Sequence, residues 1–151
     1  MSWTGRLAEL GIPLPPVAPP AGVYLPAVRT GSLVFTAGQV PLVDGTVVAP
    51  GKVGAGIDAE TARQLARICA LNALAAVDAL VGLDSVTRVV KVVGFVASAP
   101  GFTGQPAVVN GASDLLGEVF GEAGAHARSA VGVAELPLGA PVEVELVVEV
   151  A

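Results

Sequence analysis

The chain has 151 residues, 53% of them hydrophobic and only 14% charged, and its formal net charge is -5 at pH 7. That length suits a single domain with one hydrophobic core. The acidic balance disfavours a nucleic-acid partner, because binding to phosphates needs clustered Lys and Arg and the eight such residues are scattered. One Cys and one His exclude an intrachain disulfide and an ordinary zinc site, so we expect no metal.

The elements are predicted to follow an N-terminal extension, residues 1–22, which contains a helical turn at 6–10 and then a proline-rich loop. In chain order they are strands at 23–29 and 33–37, a short strand at 46–48 in a loop, a helix from Asp58 to Gly82, a strand at 86–97, a helix at 106–122, and strands at 129–135 and 142–150. Asp58 is a typical N-cap and Gly82 a typical stop.

The main elements run β-β-α-β-α-β-β and predict a single mixed α/β (α+β) domain. The strand at 86–97 is apolar on both faces, which indicates a strand covered on both sides. Two helices can cover only one face of the sheet, so the other face predicts oligomerisation. The most apolar long stretch, 68–83, contains Asn72 and Asp78 and does not predict a membrane span. The chain opens without a signal peptide, and we predict a cytoplasmic protein.

Three features are explained more simply by structure than by chemistry. The Gly-rich stretch 51–56 lacks the Lys-Ser/Thr ending of a phosphate loop, and no clear strand leads into it. Cys69 lies on the core stripe of a helix, which predicts an inert buried thiol. His126 has no nucleophile that can be named beside it, so a structural role is favoured over a catalytic one.

Arg128 is the strongest candidate for chemistry. Ala130, Gly132 and Ala134 share its face of the strand and leave space beside the guanidinium, which suits two parallel bonds to a carboxylate. A salt bridge to Glu143 or Glu145 is the alternative.

Acidic side chains share one face of the last strand, namely Glu143, Glu145 and Glu149. Such a face is usually solvated, but burial by oligomerisation would turn one carboxylate into a proton donor or acceptor. Asn110 is either a polar contact of its helix or a ligand contact.

Four segments resemble blocks of the RidA/YjgF family. Residues 127–145, which begin Ala-Arg-Ser-Ala-Val-Gly-Val-Ala-Glu-Leu-Pro, resemble its C-terminal signature. Gly22-Val23-Tyr24 resembles its Gly-Pro-Tyr, and Thr36-Ala37-Gly38-Gln39-Val40-Pro41 resembles its Ser-Gly-Gln-x-Pro block. Phe102 and Asn110 resemble its Phe-x-x-x-Asn element at a longer spacing. The resemblance spans residues 22–150, so residues 23–151 are interpreted as a RidA/YjgF-like domain.

The resemblance implies a chorismate-mutase-like fold and a homotrimer, with the sheets in a central barrel, the helices outside and three clefts between subunits. It implies hydrolysis of reactive 2-imino acids to 2-oxo acids and ammonia, without a metal or organic cofactor. By position, Arg128 would hold the substrate carboxylate and Glu143 would activate water. Tyr24 and Asn110 would line the pocket, and Gly38 would allow close backbone approach.

Ala37 and Ala130 stand where family members often have Ser and Cys, and both changes enlarge the pocket. Together with the longer loops of this chain, they indicate a divergent branch of the family. A non-catalytic trimer that binds a small carboxylate is therefore the alternative function. An endoribonuclease, a name given to some family members, is disfavoured by the acidic charge and the lack of a His pair.

Overall fold

One five-stranded sheet carries the fold, and two long helices cover one face of it. Residues 2–151, which a computed structural model describes, form the helices α1 (Trp3–Leu10), α2 (Ala59–Val81) and α3 (Gln105–Phe120) and the strands β1 (Ala27–Thr30), β2 (Leu33–Thr36), β3 (Leu42–Val43), β4 (Thr46–Val47), β5 (Val86–Ala97), β6 (Ala127–Val133) and β7 (Val142–Val150). The sheet order is β1-β2-β7-β5-β6, and only the β5–β6 pair is parallel. The predicted α+β class is confirmed.

The predicted bounds of β5 and β7 agree with the structure, whereas those of β1 and β6 shift. β1 begins at Ala27 rather than at residue 23, because Pro26 has no N–H for a ladder bond. β6 begins at Ala127 and ends at Val133, in register with residues 91–97 of β5. Arg128 therefore lies inside this strand and not just before it.

α2 begins and ends where the sequence predicts. The side chain of Asp58 accepts a hydrogen bond from the Thr61 N–H at 2.7 Å, which lowers the pKa of the Asp58 carboxyl. Gly82 follows the last residue with a φ of 78°. By length and apolar composition α2 could also cross a membrane, yet 56% of its most apolar window is buried inside the domain. Packing against the sheet and α3 accounts for that composition.

The core lies between the helices and the side of the sheet that carries Val92, Val144 and Leu146, which are 0–1% exposed. The absence of a side chain at Gly94 lets α3 approach β5 closely, since a Cβ there would come within 2.6 Å of Val109 Cγ1.

The opposite face of the sheet is open in a single chain. Val28 is 49% exposed, and Phe35 and Val131 are each 44% exposed. Val93 and Phe95 on β5 are only half-buried. Residues 2–151 do not supply cover for this second side of β5.

The N-terminal helix is longer than predicted and is held firmly. Its Trp3 indole N–H donates to the Val86 carbonyl at 2.7 Å, and the Trp3 ring meets Phe120 edge-on with centroids 5.1 Å apart. Leu7 is buried in the core. The extension is therefore packed against the domain at its first turns.

Candidate active site

Arg128 projects from β6 toward α3, on the helix-covered side of the sheet. Its Nη1 donates to Asn110 Oδ1 at 2.7 Å and to Ser113 Oγ at 3.2 Å, and its Nη2 donates to the Pro106 carbonyl at 3.4 Å. Arg128 as a whole residue is half-buried. All three partners are neutral, so the positive charge is held in place without being neutralised.

His126 extends this group. Its Nε2 lies 2.9 Å from Ser113 Oγ, and its Nδ1 lies 2.6 Å from the Gly124 carbonyl. His126 is two residues before Arg128, so on extended backbone the two side chains share a face. Arg128, Asn110, Ser113, His126 and Ala130 together are called the arginine half-site.

Glu143 projects from β7 to the open side of the sheet, beside Gly38. A Cβ on Gly38 would lie 2.8 Å from Glu143 Cδ and closer still to Oε1. Gln39 is bridged to Val144 by two backbone hydrogen bonds of 2.8 and 2.9 Å, which holds Gly38 against the carboxylate. Glu143, Glu145, Ala37 and Gly38 together are called the glutamate half-site.

Burial raises the pKa of the Glu143 carboxyl, and the neighbouring charge of Glu145 raises it further. In the part of the chain that the structure describes, no Lys or Arg nitrogen lies within 4.0 Å of this carboxylate. Among residues 2–151, the charge of the Glu143 carboxylate therefore has no cation beside it to offset its burial.

Asn72 and Cys69 of α2 support the glutamate half-site from the core side. The Asn72 amide donates to the carbonyls of Val40 and Leu42, both at 3.1 Å, and so fixes the segment that follows Gly38. The Cys69 thiol lies 3.6 Å from the Val142 carbonyl. Burial raises the pKa of that thiol well above its usual range, with a smaller contribution from Glu143, so the predicted inert role of Cys69 is supported.

The two half-sites do not meet within one chain. Arg128 pairs in register with Val92 and Glu143 with Phe95, so β5 separates them, and their side chains leave opposite faces of the sheet. Strands β6 and β7, which carry Arg128 and Glu143, are two strand spacings apart, about 10 Å. Within one chain, the alternative of a salt bridge from Arg128 to Glu143 or Glu145 is wrong, because alternation along β7 directs both carboxylates away from the guanidinium.

Metal ligation is not favoured by the side chains present. Among residues 2–151, no group of three or more His, Cys, Asp or Glu side chains is placed to hold a metal ion. The lone His126 has both ring nitrogens in hydrogen bonds.

A family model described as "YjgF/chorismate mutase-like, putative endoribonuclease" matches residues 4–150. The chain belongs to the YjgF/RidA family. Its fold is accordingly the chorismate-mutase-like fold that the resemblance implied.

Three relatives show where the chain stands in the YjgF/RidA family. Protein TCP17 of Trypanosoma cruzi is 47% identical over 146 residues, 95% of this chain and 91% of TCP17. A protein of unknown function from Agrobacterium tumefaciens has a crystal structure with a TM-score of 0.90 and 44% identity, over 99% of this chain and 92% of that one. E. coli TdcF with bound serine has a TM-score of 0.66 and 26% identity, over 91% of this chain and 94% of TdcF. The higher score and fuller coverage of the Agrobacterium protein agree with a branch that shares the N-terminal extension.

The structure divides the residues that resemble YjgF/RidA motifs into separate places. Asn110 and Ala130 lie with Arg128, and Ala37 and Gly38 lie with Glu143. Tyr24 lies two residues before Pro26, whose carbonyl accepts from the Ala37 N–H at 2.8 Å, and its side chain is 49% exposed, with the hydroxyl 3.2 Å from the Ala21 N–H. It is flanked by Val23 and Leu25, which are 108% and 67% exposed.

Ser113 was missed by the sequence interpretation, which favoured a structural role for His126 over a catalytic one. The available signal was the spacing of Asn110 and Ser113, which places two uncharged polar side chains next to each other on one face of α3. The position of His126 two residues before Arg128 was the second signal.

Proposed function

We propose that this protein hydrolyses small 2-imino acids to 2-oxo acids and ammonia, as a homotrimer whose clefts join the arginine half-site of one subunit to the glutamate half-site of a neighbour. The observation that carries the proposal is Glu143, a half-buried carboxylate of raised pKa on the open face of the sheet. A base with such a pKa is better matched to proton transfer near neutral pH than an ordinary Glu.

The open face supports assembly. Val28, Phe35 and Val131 expose apolar surface on the same side as Glu143, and exposed apolar side chains on one face of a sheet are typical of a subunit interface. Covering that face with another subunit would exclude water around Glu143 and bring a second chain's groups to it. The trimeric state follows the family resemblance.

In the proposed reaction, Arg128 holds the substrate carboxylate and so fixes the imine carbon. Glu143 accepts a proton from a water molecule while the water oxygen bonds to that carbon. With the imine nitrogen protonated at the start, this addition gives a neutral carbinolamine, whose nitrogen takes the proton back from Glu143. The C–N bond then breaks as the C=O bond forms, and the hydroxyl proton passes to the freed Glu143 carboxylate, from which the ammonia takes it. One water is consumed and one ammonia leaves, with no change in oxidation state.

The relatives give partial support for the ligand class. The TdcF structure contains serine. In serine, as in a 2-imino acid, the carbon that bears the nitrogen also bears a carboxylate. Arg128 retains N–H groups for such a carboxylate. We place the activity in the cytoplasm, where a free thiol such as Cys69 is stable.

A trimer that binds a small carboxylate without turnover is the second candidate. Ala37 and Ala130 favour it, because neither offers a polar group to a reacting imine. An endoribonuclease is less well supported, because the eight Lys and Arg residues form no run and the single imidazole is engaged by Ser113 and Gly124.

The deciding experiment measures ammonia release from 2-iminopropionate, generated in situ by an amino acid oxidase, for wild type and Glu143→Gln. The hydrolase requires acceleration over the uncatalysed rate and a loss on the order of 100-fold in the variant. Glu149→Gln, on the same strand and exposed, is the matched control and is expected to retain wild-type turnover. Binding of 2-oxobutyrate without any acceleration would select the binding protein instead.

A further inference from the structure

The hydrogen bonds of Arg128 favour one edge of its guanidinium for a ligand. A guanidinium has five N–H bonds, two on each terminal nitrogen and one on Nε. Both Nη1 hydrogens are occupied by Asn110 and Ser113, and one Nη2 hydrogen is occupied by Pro106. The end-on fork needs an Nη1 hydrogen, whereas the bond from Nη2 to Pro106 is long at 3.4 Å, so the Nε–Nη2 edge is the better placed of the two for two parallel bonds to a carboxylate.

The partners of His126 fix which ring nitrogen carries the hydrogen. A carbonyl oxygen can only accept, so Nδ1, 2.6 Å from the Gly124 carbonyl, is the donor. In a neutral ring Nε2 is then an acceptor, and the Ser113 hydroxyl donates to it at 2.9 Å. The Ser113 oxygen keeps its lone pairs for Arg128 Nη1 at 3.2 Å. With the neutral Nδ1–H tautomer, every donor in this chain of groups meets an acceptor.

We propose that Ser113 and His126 are positioning residues, which orient the Arg128 guanidinium so that its Nε–Nη2 edge faces the ligand carboxylate. This inference rests on the role given to Arg128 in the proposed function. The strand itself gives the side chain little support, because Ala130 and Gly132 on the same face are small. An arginine that is held before the ligand arrives loses less conformational entropy on binding.

The two residues are not needed for the core. Ser113 and His126 are both half-buried, and neither belongs to the buried apolar cluster. Removing the Ser113 hydroxyl would leave α3 and its packing in place. The effect of such a change should therefore appear in ligand affinity and not in folding.

The chain suits a direct test because His126 is its only histidine, so its imidazole nitrogens need no assignment by mutation. The ¹⁵N shifts of the ring in the ligand-free wild type should report a hydrogen on Nδ1, and Ser113→Ala should shift the Nε2 resonance. Calorimetry with 2-oxobutyrate should show a Kd raised roughly 10-fold in Ser113→Ala, the size expected for one lost hydrogen bond to a charged group. Turnover at saturation should change much less, since the contact acts on binding.

Ser113→Thr keeps the hydroxyl and should restore the affinity, whereas Ser32→Ala, in an exposed turn, should behave as wild type. An Nε2–H tautomer in the wild type, or an unchanged Kd in Ser113→Ala, would overturn the proposal. A wild type with the Nδ1–H tautomer that neither binds 2-oxobutyrate nor releases ammonia would instead overturn the proposed function, and the ligand role of Arg128 with it.

Discussion

Gly38 leaves room for the Glu143 carboxyl group, because a Cβ at residue 38 would lie 2.8 Å from Glu143 Cδ. Any side chain at residue 38 would overlap the Glu143 carboxyl group. The neighbouring Gln39–Val144 bridge prevents the backbone from withdrawing. The position of the proposed base is therefore set by an absent side chain.

Gly38→Ala should lower turnover on the order of 100-fold while leaving the fold intact. The new Cβ would meet the end of a flexible side chain, so Glu143 would swing away with little effect on packing. Gly94→Ala is the contrasting variant, because its Cβ would enter Val109 in the core and should lower the free energy of unfolding by about 1–3 kcal/mol. Imine hydrolysis and urea unfolding should separate the two, and equal loss of stability would contradict this account.

The raised pKa of Glu143 predicts a dependence of stability on pH. The folded state binds the Glu143 proton more tightly than the unfolded state, so this contribution is fully present below the unfolded pKa, about 4.3, and is lost as pH rises through the folded pKa. The stability of wild type relative to Glu143→Gln should therefore fall as pH increases across that window. Urea titrations at several pH values measure it, and the opposite slope would mean that the carboxylate is stabilised as an anion.

Arg128→Ala should abolish carboxylate binding without unfolding the protein, because the guanidinium is held by neutral surface partners and takes no part in the core. We expect a loss of activity on the order of 100-fold or more. Arg128→Lys should also bind poorly, since an ammonium cannot present two parallel N–H bonds. Calorimetry with 2-oxobutyrate tests both variants. Near-wild-type affinity in Arg128→Ala would mean that Arg128 only links β6 to α3 and does not bind the ligand.

Two inactive variants should complement each other if each cleft draws on two chains. Co-expressed Arg128→Ala and Glu143→Gln subunits would form some clefts with both groups intact, about a quarter of them for random assembly around a ring.

Light scattering should show a mass about three times that of the 14.9 kDa chain. A fully active monomer, or mixed assemblies without activity, would contradict the split cleft.

The Cys69 thiol should not react with thiol reagents in the native protein at pH 8. Its side chain is fully buried and its pKa is raised by that burial. A reagent therefore cannot reach the sulfur, and little of the thiol is present as the reactive thiolate. One thiol per chain should titrate with Ellman's reagent in concentrated urea. Rapid reaction without denaturant would show that α2 opens in the folded state.

Periodicity predicted the long elements well because β5, β7 and α2 are each long enough for packing on one face to repeat several times. The predicted start of β1 was wrong, because Pro26 ends the strand pairing although the residues before it are apolar. The alternation of β7 placed Glu143 on the polar face. Its separation from Arg128 was not predicted, because only the sheet order puts β5 between them. The contact between Ser113 and His126 depends on how α3 crosses β6, which no local pattern encodes.

The open sheet face has a genetic consequence. If each cleft is completed by a neighbour, substitutions at Val28, Phe35 or Val131 that weaken association would silence the protein while every chain remained folded and every catalytic side chain remained unchanged. A map of loss-of-function alleles would then show two clusters, one at the half-sites and one along this apolar surface. Alleles of the second cluster would be rescued by a higher level of expression, whereas alleles of the first would not.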